Sequence, residues 1–403
     1  MTARRLEGIY LEAMLSNKLW TKEYILALII SFMISISMNM LFSTIALYGR
    51  GLSGSDVYAG LLATVFTLAA LASRGFMGMI FRHFSLKEVL LLGALMTLAA
   101  AIGYLFWQGL TALLFWRMVH GVGFGIASTA GATVISSSVP RTRMLEGVGY
   151  SGLSMVLAMA IGPSMGLSLC QSDWQLYQKV FVANLGLGLL LLGGVCLLKI
   201  KPLAQEEQLS EQEKAQADTV WKAIIIFFVM LGLIMAFAQS SVSTLLSVYA
   251  LDKKMGNVSM FFLVYAGAVI ASRLLLPKIS KRVSEKNIIV ACFVGLSLCF
   301  IAIAVNDTAY ILFLIAIPYG FAGGLLSPIL QVKILQKVTV ARQGSANALY
   351  YAAFDGGIGL GALTWSSIGG AVGYVFVYLL SGVLAAAGAV IYFQASRKNA
   401  DTT

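Results

Sequence analysis

The chain has 403 residues, 59% of them hydrophobic and only 11% charged, with a net charge of +11. A soluble domain carries about 25% charged residues, so this composition excludes a soluble globular protein and points to an all-α, polytopic membrane protein. The basic residues are spread over short loops rather than gathered on one face, which argues against nucleic-acid binding. Two histidines, and four cysteines without CxxC spacing, offer no metal or cofactor site.

Apolar runs of ~20 residues, enough to cross ~30 Å of hydrocarbon as helices, recur along the chain and lack the alternation of barrel strands. Residues 1–24 read as a polar, basic cytoplasmic segment without a cleavable signal pattern, ending on Trp20 and Tyr24. A first bundle over 25–198 holds spans at 25–48, 56–81, 88–107, 110–138, 146–171 and 177–198. Residues 199–220, polar and mixed in charge, read as a cytoplasmic linker with room for a short surface helix. A second bundle over 221–395 holds spans at 221–247, 257–280, 287–305, 309–334, 344–370 and 373–395, and 396–403 form a cytoplasmic tail. Twelve spans put both ends on one side. Of 28 Lys and Arg, 21 fall on that side and four on the other (Arg50, Lys179, Lys253, Lys254), while Arg74, Arg117 and Arg273 lie within spans. The bias places both termini in the cytoplasm.

The two halves align at an offset of 199. Arg74 falls on Arg273, the segment from Arg82 to Lys87 on that from Lys281 to Lys286, and Gly121, Gly125 and Gly162 on Gly320, Gly324 and Gly361. One register serves several spans, which indicates duplication. Parallel six-helix halves are a transporter design, with substrate bound between repeats near midplane.

Three motifs make the chain resemble a major facilitator superfamily transporter, of the bacterial drug:proton antiporter and arabinose-efflux-like branch. The loop after the second span runs Gly78-Met79-Ile80-Phe81-Arg82-His83-Phe84-Ser85-Leu86-Lys87. Gly78 and Lys87 match the family's gating motif, while Arg82 replaces its acid and Ser85 its second glycine. The resemblance therefore implies a weakened gate latch here, and Arg82, His83 and Lys87 also read as plain positive-inside anchors. Arg117-Met118-Val119-His120-Gly121-Val122-Gly123 in the fourth span is similar to the family's Arg-x-x-x-Gly-x-Gly pattern, whose arginine is associated with proton coupling. Arg117 lies ~10 Å in from the span end, so snorkelling to the surface is the alternative reading. Ala158-Met159-Ala160-Ile161-Gly162-Pro163-Ser164-Met165-Gly166 resembles the antiporter motif of exporters. Gly162, Pro163 and Gly166 also suit close helix packing and a bend.

Asp355 is the acid that stands deep in a span, inside an otherwise uncharged run from Gly344 to Gly370. An intramembrane carboxylate is costly and functional by default, so Asp355 is expected to face protein or a water-filled cavity and to carry a proton. Asn39, Gln239, Tyr319 and Tyr351 are the candidate substrate-cavity residues, each with interhelical hydrogen bonding as the plainer role. Arg74 and Arg273 read as snorkelling or loop-anchoring groups. The reading is a secondary active transporter, monomeric, in the bacterial inner membrane. It would export a small organic molecule against protons by alternating access, with the proton gradient as energy source and no cofactor. The alternatives are uptake, uncoupled facilitation, or a non-transporting membrane sensor. No nucleophile–base or phosphate-loop constellation suggests an enzyme.

Overall fold

In a computed structural model the described residues are 18–53, 56–107, 109–170, 177–200, 211–255, 259–339 and 342–398. The expected N-terminal segment up to residue 17, linker residues 201–210 and tail residues 399–403 lie outside them. The described residues form twelve long helices and one short 3-10 turn. These are α1 (Lys22–Ser53), α2 (Asp56–His83), α3 (Leu86–Phe106), α4 (Leu110–Ser138), α5 (Met144–Cys170) and α6 (Gln178–Leu197), then α7 (Glu211–Asp252), α8 (Ser259–Arg282), α9 (Glu285–Val305), α10 (Ala309–Leu335), α11 (Gln343–Val372) and α12 (Tyr374–Lys398). Among the described residues, eleven helices are long and apolar enough to cross a membrane. The other, α11, is 30 residues long but diluted by glycine and polar side chains.

The largest departure from the sequence-based boundaries is α7. It begins at Glu211, inside the expected linker, and runs for 42 residues, while its apolar stretch covers Ile224–Leu246. Residues 211–220 contain neither glycine nor proline to stop a helix, and polarity alone does not break one. Four of the six prolines (Pro163, Pro277, Pro318 and Pro328) lie inside helices, which neighbouring helices and local adjustment permit in a membrane. Gly373, with φ of 95°, lets α11 stop and α12 start one residue apart.

The chain divides into two compact units. Unit 1 comprises Met1–Glu206 and Thr339–Ala348, and unit 2 comprises Glu207–Val338 and Leu349–Thr403. The core of unit 1 joins Ile30, Leu90, Ala94, Ala127, Ala130 and Leu191 from α1, α3, α4 and α6. Across it, the Ser37 hydroxyl donates to the Asn184 Oδ1 at 2.6 Å. The first turn of α11, which belongs to unit 1, is held by uncharged groups. Asn347 Nδ2 donates to Thr133 Oγ1 and Ser136 Oγ, both at 3.3 Å, and Ser136 donates to Gln343 Oε1 at 3.1 Å. In unit 2, Leu245, Trp365 and Val377 form a cluster, with the Trp365 indole donating to the Phe237 carbonyl at 2.8 Å. Lys253, just past α7, pairs with Asp307 at 2.6 Å, and this carboxylate holds the ammonium charged above its usual range.

The duplication is visible in close approaches within each unit. A Cβ on Gly121 would lie 2.4 Å from the Phe66 carbonyl oxygen, and one on Gly320 2.6 Å from that of Tyr265, the residue 199 positions after Phe66. Gly125 likewise meets Ser73, and Gly324 meets Ser272. So α4 lies on α2 as α10 lies on α8, backbone against backbone.

The caps repeat as well. Ser85 caps α3, its hydroxyl accepting from Glu88 N at 3.3 Å while the Glu88 carboxylate accepts from Ser85 N at 2.7 Å. Ser284 caps α9 by accepting from Asn287 N at 3.3 Å. Ser85, where the family's loop has glycine, is thus half of a capping box. Ser85→Ala should cost about 1 kcal/mol, read as a lower unfolding midpoint of the purified protein. An unchanged midpoint would remove the cap from the account.

Candidate functional site

In unit 1, α4 carries the charged element. Arg117 lies seven residues into the helix and is 0% exposed, so it does not snorkel. Its Nε donates to the Leu62 carbonyl of α2 at 3.2 Å, and its guanidinium lies 4.5 Å from the centre of the Phe66 ring. One turn on, His120 is 1% exposed, 5.2 Å from Phe66 between ring centres, with Nδ1 3.4 Å from the Tyr104 hydroxyl. Tyr104 in turn donates to the Trp116 carbonyl at 3.1 Å. The result is a buried cluster of one cation, aromatic faces and the Tyr104 hydroxyl where α2, α3 and α4 meet.

The arginines expected to snorkel are also interior. Arg74 is 4% exposed, donates from Nη2 to Ser128 Oγ at 3.2 Å, and stands 5.7 Å from the Phe124 ring. Arg273 is 8% exposed and lies among Tyr265, Tyr350 and Tyr351. Arg74 finds its company on α4, and the tyrosines near Arg273 belong to its own helix α8 and to α11, which distance from the span ends does not reveal.

The exporter motif is a packing surface. A Cβ on Gly162 would lie 2.8 Å from Asn39 Cβ, and one on Gly166 2.8 Å from the Met40 carbonyl oxygen. Pro163 sits between them inside α5, so α5 presses on the backbone of α1. Asn39 is partly exposed, and its Nδ2 donates to the Ser35 carbonyl at 2.8 Å. In the gating loop, Arg82 is exposed in the last turn of α2. Lys87 donates to the Cys196 carbonyl at 3.3 Å, and a Cβ on Gly78 would stand 3.6 Å from Ser345 Oγ.

In unit 2 the polar groups follow one stripe of α10. Tyr319, Gly323, Ser327 and Gln331 recur every four residues and share a face. Tyr319 packs on Phe261, Tyr265 and Phe300, with ring centres 6.0, 5.6 and 5.6 Å away. Gln239 of α7 closes on Gly323, its Nε2 buried and without a hydrogen-bond partner among the described residues. Ser327 offers its carbonyl to the Tyr350 hydroxyl at 2.9 Å, and Gln331 Nε2 donates to the Tyr351 hydroxyl at 3.3 Å. Asp355 follows Tyr351 by one turn of α11, partly exposed, twelve residues after Gln343 in the 30-residue helix. The structure thus brings Gln239, Tyr319 and Tyr351 to one seam, with Asp355 one turn beyond. Ser327, Gln331, Tyr350 and Arg273 of that seam, and Tyr104 and His120 of unit 1, were not among the expected site residues. The four-residue spacing along α10 was the available signal.

Twelve long, mostly apolar helices with charged and polar groups buried between them define a polytopic membrane transporter. The sequence model of the Major Facilitator Superfamily matches residues 27–361, and the chain belongs to that family. It is 25% identical over 374 residues to a protein of Lactococcus lactis subsp. lactis (strain IL1403) named multi-drug resistance efflux pump PmrA homolog, covering 88% of this chain and 90% of that one. It is 24% identical over 390 residues to multidrug resistance protein MdtG of Enterobacter lignolyticus (strain SCF1), covering 92% and 91%. The fold is similar to the crystal structure of the human organic anion transporter MFSD10 (TETRAN), with a TM-score of 0.75, 15% identity, and coverage of 92% of this chain and 100% of that one. Family membership makes the chain a multi-pass membrane transporter and not an enzyme.

Proposed function

We propose that this transporter exports small organic molecules from the bacterial cytoplasm across the inner membrane, by alternating access and in exchange for protons, as a monomer with both termini cytoplasmic. The observation that carries the reading is Asp355. It is a carboxylate in the middle of α11, one turn beyond Tyr351 and the polar seam of α10. Protonated, it is inexpensive to bury; ionised, it can bind a cationic substrate or draw in water. Gln239, Tyr319 and Tyr351 supply hydrogen bonds and aromatic faces to substrate in unit 2, and Asn39 an amide in unit 1. The Gly162–Gly166 packing and the efflux names of two relatives support the outward direction. The distribution of Lys and Arg supports the orientation.

The test is transport into inverted membrane vesicles with an acid interior, using a panel of fluorescent hydrophobic dyes and drugs. The expected result is uphill accumulation that collapses on adding a protonophore, with substrate addition raising the lumenal pH. Equilibration that ignores the gradient would make the chain a facilitator. Accumulation confined to right-side-out vesicles under an inward proton gradient would make it an importer.

A further inference from the structure

Two cations of unit 2 converge on one aromatic ring. Lys286, the second residue of α9, holds its ammonium 5.2 Å from the centre of the Phe393 ring. Arg397, one turn after Phe393 in α12, holds its guanidinium carbon 4.8 Å from the same centre. Sharing one ring keeps the two charges within about 10 Å, close to one Debye length at 0.1 M salt, so they repel. Among the described residues neither pairs with a carboxylate, and Glu285, beside Lys286 in sequence, goes to Lys333 of α10 instead. Lys286 also opposes the dipole of α9, whose N-terminus favours an anion.

The first half of the chain supplies the comparison. Lys87, 199 positions earlier, is likewise second in its helix, and there it donates to the Cys196 carbonyl in the last turn of α6. The positions that match Phe393 and Arg397 are Gly194 and Leu198. Unit 1 therefore ties its lysine to a helix end, whereas unit 2 adds a ring and a second cation and leaves both charges open.

We propose that Lys286, Arg397 and Phe393 form a headgroup site for an anionic phospholipid of the cytoplasmic leaflet. One phosphodiester supplies the missing counter-charge, taking the guanidinium fork on one side and the ammonium on the other. A lipid fits better than a free phosphate because the ring is exposed and apolar surface continues from it. The α9 and α12 backbones press together below the ring, where a Cβ on Gly388 would stand 2.6 Å from the Phe293 ring and one on Gly382 3.2 Å from the Ser297 carbonyl oxygen. Val294 and Leu298 of α9, and Val383 and Val390 of α12, are exposed along this packed pair and give acyl chains an apolar bed. The leaflet follows from the orientation proposed above. The site itself lies wholly in unit 2 and holds whatever the direction or coupling of transport.

The experiment titrates dioleoyl phosphatidylglycerol into the purified full chain in a neutral detergent and follows thermal unfolding by tryptophan fluorescence. The midpoint should rise by several degrees and saturate. Dioleoyl phosphatidylethanolamine, with the same chains and no net charge, should act only weakly. Glycerol phosphate, with the charge and no chains, should have no effect. Lys286→Gln and Arg397→Gln should each move half-saturation to about fivefold more phosphatidylglycerol, the contribution of one basic residue at an anionic lipid surface. Lys22→Gln, which removes an exposed charge from α1, should leave it unchanged. An equal response to both lipids would mean contact without headgroup recognition, and a saturating response to glycerol phosphate would mean a free-anion site. Wild-type half-saturation in both site variants, or an equal shift in Lys22→Gln, would mean diffuse attraction by net charge. Each of these results overturns the assignment. Neither Lys286 nor Arg397 is buried, so their variants keep the packed interior, and the three wild-type titrations need no variant at all.

Discussion

Asp355→Asn should yield a protein that inserts, folds and binds substrate but no longer accumulates it at the expense of a proton gradient. Asparagine keeps the size and hydrogen-bonding capacity of the side chain and removes its titration. Coupling requires that the two protonation states of one group favour different conformations or occupancies. A residue that cannot change state cannot transmit the gradient. The midpoint of unfolding in detergent should stay near the wild-type value, because a partly exposed position in α11 accommodates the isostere. Dye accumulation in inverted vesicles should fall to the level of gradient-free equilibration, with substrate-induced proton release lost alongside it. Wild-type accumulation with wild-type pH dependence in the variant would assign Asp355 a structural hydrogen bond and send the search for the proton carrier elsewhere.

Gly121→Ala and Gly320→Ala should each destabilise the protein by about 1–3 kcal/mol, the range of overpacked interiors. The added methyl would stand 2.4 Å from the Phe66 carbonyl oxygen in one case and 2.6 Å from that of Tyr265 in the other. A backbone carbonyl inside a helix cannot rotate away, so the helices themselves must separate. Gly193→Ala and Gly267→Ala, with nothing within 4 Å of the new Cβ, are the controls and should be neutral or slightly stabilising. The next pair separates backbone from side-chain obstruction. At Gly324 the one atom nearer than 3.0 Å is Ser272 Oγ, so Ser272→Ala should rescue Gly324→Ala. At Gly125 the Ala70 carbonyl oxygen also stands at 2.6 Å, and Ser73→Ala should not rescue Gly125→Ala. Unfolding midpoints of the single and double variants check all of this. Rescue in both pairs would mean that the helix backbones are not the constraint.

The helical architecture was legible because hydropathy in a membrane chain is a length measurement. The spans end within about four residues of the observed helices nearly everywhere. At α7 the expected span 221–247 brackets the apolar stretch Ile224–Leu246, while the helix itself begins earlier, at Glu211, in a polar sequence where hydropathy carries no signal. The duplication was legible through glycines, since the contact of Gly121 with Phe66 recurs as that of Gly320 with Tyr265.

Side-chain roles were harder to read. Depth along a helix says how far a charge is from water but not which neighbours it will meet. Arg74 and Arg273 therefore passed for snorkelling or loop-anchoring groups, and snorkelling stood as the alternative for Arg117, whereas all three are buried, Arg74 on Ser128 and Arg117 on the Leu62 carbonyl and the Phe66 ring. The α10 seam was partly visible: Tyr319 stood out as an amphipathic residue, while Ser327 and Gln331 needed the four-residue period to be applied to polar positions. Ser85 looked like a departure from a family pattern, and only the geometry of Glu88 gives it a purpose.

The two arginine contacts of unit 1 run in opposite directions between the same helices. Arg74 of α2 reaches Ser128 of α4, and Arg117 of α4 reaches the Leu62 carbonyl of α2. A charged side chain released alone into lipid is expensive, and each of these helices holds what the other lacks. Inserted apart, α2 would carry Arg74 without Ser128 and α4 would carry Arg117 without the Leu62 carbonyl, so each helix supplies inside the bilayer the polar partner that the other's charge requires.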